Sequence, residues 1–319
     1  MSPGSVSKSG GDVIEALREK AKSKQRTIVL PEYDDKRVVE AVKIIEKEKI
    51  AKTILLTPDK INADDKERYA QEFFHMRQEK GMDIDTARKT MDNLLYYASM
   101  MVWEGKADGF VAGANHTTSD VARAAIHCIG IDGRLTIASS CFLMVVPNCP
   151  YGKNGTFIFA DCGIIPEPNA RQLACIAIAS SELASKVLGI VPRAALLSYS
   201  TKGSAKGRCI DKIVEALSIV KNMAPDLLVD GEMQVDAAIV PEVSKIKYPD
   251  SPIGGKSNVL IFPNLEAGNI SYKLTQRLAN ARAVGPLFLG LNKPGSDLSR
   301  GCSAEDVVDS VAITAIRAQ

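Results

Sequence analysis

Histidine, aromatic residues and long apolar runs are all scarce in this chain of 319 residues, and each scarcity removes a class of function. Three histidines, His75, His116 and His127, stand too far apart to give a metal-ligand spacing. Aromatic residues make up 5% of the chain, too few for a surface that stacks on nucleic-acid bases. The longest apolar runs, such as Phe142 to Val146, fall far short of the ~20 residues needed to span a bilayer. Charge of one sign is also missing. Forty basic against 38 acidic residues leave a net charge of +2, with no general attraction to nucleic acid or to a membrane surface. The seven cysteines, from Cys128 to Cys302, include no C-x-x-C pair and are odd in number. They read as reduced thiols of a cytoplasmic protein. The stretch from Met1 to Gly11 is polar, lacks the apolar core of a signal peptide, and is expected to be mobile.

Familiar nucleotide motifs fail as well. Gly255-Lys256-Ser257 supplies the end of a P-loop, but Asp250 stands where its first glycine belongs. Gly203 and Gly207-Arg208 have the wrong spacing and no lysine, and no G-x-G-x-x-G opens a helix after a strand.

What is present is alternation. Apolar runs of four to six residues, among them Thr27–Leu30, Thr53–Leu56, Gly109–Gly113, Ala194–Ser198, Asn258–Phe262 and Pro286–Leu289, are separated by segments of helical period. One such segment, from Ala87 to Val102, reads as a single long helix, and another begins near Ser119 with Thr118 or Ser119 as its cap. Strands separated by helices imply parallel βαβ units of an α/β fold, with ligands at the carboxyl ends of the strands. Three loops after strands are rich in small and polar residues. Gly113–Asp120 leads to Arg123 and serves as a helix cap or a ligand loop. Ser198–Arg208 combines glycines, hydroxyls and cations, which suits an anion or merely a solvated turn. Asn264–Asn269 is the third.

The densest chemistry lies near the end, in Asp297-Leu298-Ser299-Arg300-Gly301-Cys302-Ser303 and on to Asp306. A hydroxyl, a guanidinium and a carboxylate at a loop-to-helix junction can bind an anion, stabilise developing charge and move a proton. Ser303-x-x-Asp306 also fits a capping box, which would make the pair purely structural. Cys302 in the same loop is a conceivable nucleophile, though no histidine lies nearby in sequence.

Taken together, these segments resemble the phosphate acetyltransferase (phosphotransacetylase) and phosphate butyryltransferase family. The resemblance rests on Ala107-Asp108-Gly109 through Gly113-Ala114-Asn115-His116-Thr117-Thr118, Phe159–Cys162, Leu197–Thr201, Pro225–Glu232, Ile261–Leu265, and Gly290–Pro294 on to Asp297–Ser303. Pro294-Gly295-Ser296-Asp297 departs from the family pattern, which has a bulkier residue and asparagine after the proline, and is expected to loosen this loop.

The resemblance implies a fold of two three-layer α/β/α domains with mainly parallel sheets and an interdomain active-site cleft. Residues 1–140 with 290–319 would form the first domain, completed by the C-terminal segment, and residues 141–289 a second that dimerises. It implies reversible acetyl transfer between coenzyme A and phosphate through a ternary complex, in acetate metabolism, by a cytoplasmic homodimer. CoA and acetyl-CoA enter as substrates, with acetyl phosphate and phosphate, and no permanently bound cofactor or metal is expected. Asp306 matches the base that takes the thiol proton. Ser299 matches the hydroxyl that stabilises developing charge, and Arg300 the cation on the acyl phosphate. Arg77 and Arg123 match arginines associated with CoA, and His116 and Thr117 are further substrate contacts, with Ser198, Ser200, Thr201 and Ser204 on the second glycine-rich loop. An aspartate with a pKa near 4 is a weak base toward a thiol of about 8.5, so the site must help it. A propanoyl- or butyryltransferase, a silent acyl-CoA sensor and a dehydrogenase of shared architecture are the competing readings.

Overall fold

The computed structural model describes residues 10–319. The polar stretch expected to be mobile lies outside them, except that Gly10 and Gly11 open the first helix. The described chain divides into two compact units, one of Leu17–Ala138 with Gly285–Gln319 and a central one of Ser139–Val284 with residues 10–16.

In chain order, α1 (Gly10–Ser23), β1 (Thr27–Leu30), α2 (Lys36–Glu48), β2 (Lys52–Leu55), α3 (Ala63–Arg77), α4 (Ile84–Thr90), α5 (Leu94–Glu104), β3 (Gly109–Ala112) and α6 (Thr118–Cys128) come first. The central unit follows with β4 (Ser139–Val145), β5 (Thr156–Ala160), α7 (Ala170–Leu188), β6 (Arg193–Leu197), α8 (Arg208–Met223), β7 (Leu228–Met233), α9 (Val235–Ile239), α10 (Pro241–Lys247), β8 (Val259–Ile261) and α11 (Leu265–Leu278). The chain ends with β9 (Arg282–Leu289), β10 (Gly295–Asp297) and α12 (Ala304–Ala318).

Within the first unit the strands run β2-β1-β3-β10-β9, parallel except where Ser296 of β10 faces Leu287 of β9. Helix α12 packs on α2 and on β1, β3 and β10, while α5 packs on β1, β3 and α6. From Val307 to Ile316 every residue of α12 is buried, so this last helix is a core element. Within the central unit the order is β4-β5-β8-β6-β7, parallel except for β4 with β5. Its strands β4 and β5 are buried along their whole length, as parallel-type sheets covered on both faces require. Phe142, Met144, Phe157, Phe159, Leu197, Leu260 and Phe262 gather with Tyr272 of α11 into one apolar cluster. The alternate positions along β4 and β5 reflect the two-residue period of a strand. No described helix is long and apolar enough to cross a membrane.

Three local expectations need correction. Ala87 to Val102 is two helices, because Asn93 adopts an extended conformation and its side chain caps α5 by accepting from the Leu95 amide. Apolar spacing runs through this break, so period alone could not reveal it. The cap of α6 is Thr117, ahead of both expected candidates, Thr118 and Ser119. The departure at Gly295-Ser296 does not loosen the loop. It forms strand β10, paired with Phe110, Val111 and Ala112 of β3. The Phe110 ring occupies the space in question, since a Cβ on residue 295 would lie 2.2 Å from it. A small residue at 295 is thus the counterpart of a large one at 110, and the Ser296 and Thr314 hydroxyls bond at 2.7 Å behind it.

Candidate active site

The carboxyl ends of three neighbouring parallel strands, β1, β3 and β10, carry the densest polar arrangement of the first unit. Just past β1 stands Glu32, 2% exposed. Its Oε2 accepts from the amides of Gly113 (2.9 Å) and Ala114 (2.8 Å), and its Oε1 from the amide of Asn115 (2.7 Å). The same Oε1 lies 2.7 Å from Nδ1 of His116. The loop after β3 therefore wraps around one carboxylate. Burial pushes the Glu32 carboxyl up, but His116 and the amides outweigh it and hold it below its usual range. An ionised carboxylate only accepts, so Nδ1 of His116 carries a proton and Nε2 is the ring atom left to meet a ligand. The Glu32 contact, against a smaller effect of burial, raises the pKa of His116, whose side chain is 35% exposed.

At the end of β10, Asp297 is fully buried. Oδ2 accepts from the Thr118 hydroxyl (2.5 Å), and Oδ1 has no hydrogen-bond partner. Burial pushes its carboxyl up to about 7, with Thr118, the Leu298 amide and Arg300 opposing the rise and Glu32 adding to it. Gly113 makes room for it. A Cβ there would lie 2.1 Å from Oδ1, on a backbone with φ +116°.

Ser299 and Arg300 follow, both exposed. The Ser299 hydroxyl accepts from the Gly301 amide at 3.2 Å. The Arg300 carbonyl accepts from Nη1 of Arg37 (2.7 Å), as does that of Cys302 (3.1 Å). Nη2 of Arg37 reaches the Ala114 carbonyl (2.9 Å) and Oδ2 of Asp35 (2.6 Å). One guanidinium at the start of α2 thus ties the Ser299–Ser303 loop to the His116 loop. Asp35 in turn caps α2. Asp306 completes the capping box with Ser303, its Oδ2 accepting from the Ser303 amide (2.8 Å) and hydroxyl (2.9 Å). The helix-start reading therefore holds, and Oδ1 stands outside the box.

Arg77 and Arg123 meet around His127. Arg77 Nη2 lies 3.2 Å from Nε2 of His127. Burial first, then Arg77, Arg123 and Lys80, lower the pKa of that histidine. Arg123 is exposed and paired with Asp120 at 3.0 Å. With 1.5 Å of rise per residue, Arg123 and His127 lie about 8 and 14 Å along α6 from Thr118. A cationic track thus leads away from the strand ends.

Other expectations fare differently. Thr117 uses its hydroxyl in the cap of α6, donating to Asp120 Oδ2 (2.7 Å). Cys302 is buried, and burial pushes its thiol up to about 11, so it is no nucleophile near neutral pH. In the central unit the hydroxyls around Ser198–Ser204 build their own loop. Ser198 accepts from the Ser200 amide, Ser200 donates to Glu232 (3.0 Å) and accepts from Ala205, Ser204 accepts from Thr201, and Thr201 accepts from Gln234. Ser200 and Thr201 are buried. Glu32, Arg37 and Asp297 escaped sequence reasoning. The available signals were a charged residue at the end of a strand or just past it, for Asp297 and Glu32, and an arginine in the first turn of the next helix, for Arg37.

The chain matches the family described as phosphate acetyl/butaryl transferase over residues 12–315. It is 48% identical to a phosphate acetyltransferase of Acetivibrio thermocellus, covering 96% of this chain and 98% of that one. A phosphate acetyltransferase of Thermoanaerobacterium thermosaccharolyticum is 45% identical over 96% and 99% of the two chains. The crystal structure of a phosphotransacetylase from Streptococcus pyogenes superposes with a TM-score of 0.90 at 38% identity, covering 97% and 98%. With that match running over most of its length, the chain belongs to the phosphate acetyl/butaryl transferase family.

Proposed function

We infer that this chain is a phosphate acetyltransferase, which moves an acetyl group reversibly between CoA and phosphate. The observation that carries the reading is the full-length likeness to phosphate acetyltransferases, joined to a Ser299-Arg300 turn and Asp306 at the carboxyl end of β10. Arg300 holds the acyl phosphate, its planar fork suited to phosphate oxygens. Asp306 takes the thiol proton through Oδ1, and Ser299 donates to the charge that develops on sulfur or on the carbonyl oxygen. Arg77 and Arg123 hold the phosphates of CoA along α6. Both substrates bind before transfer, and the buried Cys302 supports a route without an acyl-enzyme. The seven cysteines, none of them in a disulfide, support a reducing, cytoplasmic setting, and the acetyl-transfer reading itself points to acetate metabolism.

We further infer a homodimer formed through the central unit. In α11, Ile270, Leu274 and Leu278 are 57%, 52% and 80% exposed. Their spacing of four residues places them in one apolar stripe.

The test mixes purified protein and CoA with acetyl, propanoyl or butanoyl phosphate and follows thioester absorbance. Acetyl phosphate is expected to react with the highest kcat/KM. Thioester from none of the three overturns the reading, and preference for a longer acyl group corrects the substrate. An acyl pocket separates neighbours by only ~1–3 kcal/mol per methylene, so all three donors belong in one experiment.

A further inference from the structure

The net reaction leaves one proton to be delivered to the phosphate side. Acetyl phosphate dianion and a neutral thiol give a thioester and hydrogen phosphate dianion. The thiolate sulfur adds to the carbonyl carbon. When the carbonyl re-forms, the bond from carbon to the bridging oxygen breaks and its electron pair stays on that oxygen. Without a proton the departing group would be the phosphate trianion, a poor leaving group. Asp306 accounts for the proton taken from sulfur. Arg300 cannot supply one to phosphate, because a guanidinium is not deprotonated in proteins.

We propose that His116 is the general acid of this reaction, its Nε2–H donating to the bridging oxygen of the acyl phosphate and passing the proton as the carbon–oxygen bond breaks. The inference rests on the phosphate acetyltransferase reading and adds a catalytic residue to it. Glu32 fixes the ring: with Nδ1 held at 2.7 Å by a buried carboxylate, the second nitrogen points away from Glu32, on a side chain that is 35% exposed. The groups around His116 favour the cation. Glu32 and Asp34 face it from the segment after β1, and Asp120 from the first turn of α6. Glu32 is faced in turn by Arg37 and Asp297. His127 is the opposite case, held neutral by burial among Arg77, Arg123 and Lys80, and His75 is exposed on α3. His116 also stands two residues from Ala114, on the loop that Arg37 ties to the backbone carbonyl of Arg300. The proton released to Asp306 returns to His116 through solvent, so protons balance over a cycle.

The experiment compares two acyl donors. Acetyl phosphate needs the proton, whereas acetyl methyl phosphate releases methyl phosphate dianion, which does not. With acetyl phosphate, kcat/KM is expected to fall as pH rises through the raised pKa of His116, because the cation is the active form below it. His116→Gln is expected to slow acetyl phosphate by about 100-fold or more and to remove that alkaline limb, with the CoA KM nearly unchanged. The variant's loss should be far smaller with acetyl methyl phosphate. Equal loss with both donors, or no loss, overturns the proposal. Glu32→Gln decides independently of the second donor, since it should move the alkaline limb to lower pH, and an unmoved limb overturns the assignment. Should the wild-type protein make no acetyl-CoA from acetyl phosphate, the enzymatic reading itself has failed instead.

Discussion

Asp297 shows how a single buried carboxyl makes stability depend on pH. Its folded pKa of about 7 lies above the ordinary 3.8. Between those values the native state binds more protons than the unfolded one, so stability falls as pH rises and the penalty is complete above the folded value. Asp297→Asn removes the charge and keeps the shape. It should be more stable than wild type near pH ~8, by up to roughly 4 kcal/mol at 1.36 kcal/mol per unit, and the gain should vanish near pH ~4. Urea unfolding at the two pH values checks this, and an equal gain at both would mean that ionisation is not the cause. For Asp306, substitutions can separate the observed helix cap from the proposed base. Asp306→Asn keeps an oxygen for the Ser303 cap but cannot take a proton. Turnover should fall by ~100-fold while the urea midpoint and the CoA KM hardly move. Asp306→Ala should add a stability loss of about 1 kcal/mol for the cap. Unchanged turnover in Asp306→Asn would remove the proposed base.

Between elements, the recurring device is a buried carboxylate that anchors a loop by its backbone amides. Glu32 does this after β1. Asp161 does it after β5, accepting from Gly163, Ile164 and Ile165. Glu232 does it from β7, holding Gly203. Each satisfies amides that no strand or helix pairs, and each fixes a loop at a strand end. Arg37 adds a cross-tie between two such loops. Arg37→Lys keeps the charge and loses the fork, so kcat should drop by roughly tenfold through misplacement of Arg300, with the CoA KM little changed. A raised CoA KM at constant kcat would contradict that role. The pairing of Gly295 with Phe110 yields a double-mutant test. Gly295→Ala should destabilise by about 1–3 kcal/mol through overpacking, and adding Phe110→Leu should restore part of it. Simple additivity of the two in chemical denaturation would mean that the ring and residue 295 do not compete for the same space.

For the molecule as a whole, the open question is association. The α11 stripe is expected to be covered by a second copy of this chain. Leu274→Asp places a charge in the middle of it and should convert a dimer into monomers in sedimentation velocity. A wild-type protein that already sediments as a monomer would end the proposal. The stripe is apolar where a surface helix of a lone subunit would carry charge, which is why it argues for a partner rather than for core packing.

Composition and period alone determined the fold class, since strands of four to six residues alternating with helices have few ways to bury both faces of a sheet. Ser299, Arg300 and Asp306 stood out because a hydroxyl, a guanidinium and a carboxylate fall within eight residues at a loop-to-helix junction, and the family resemblance is what gives them their proposed roles. Glu32, Arg37 and Asp297 did not stand out, because each acts across the strand order. Glu32 reaches residues 113–116 and Arg37 reaches 300 and 302 only because β1, β3 and β10 lie side by side. Local signals also misread the glycine at 295 as slack, because the ring that fills its space belongs to residue 110. Hydrogen bonds and packing between distant segments depend on which strands become neighbours, and only the tertiary structure decides that.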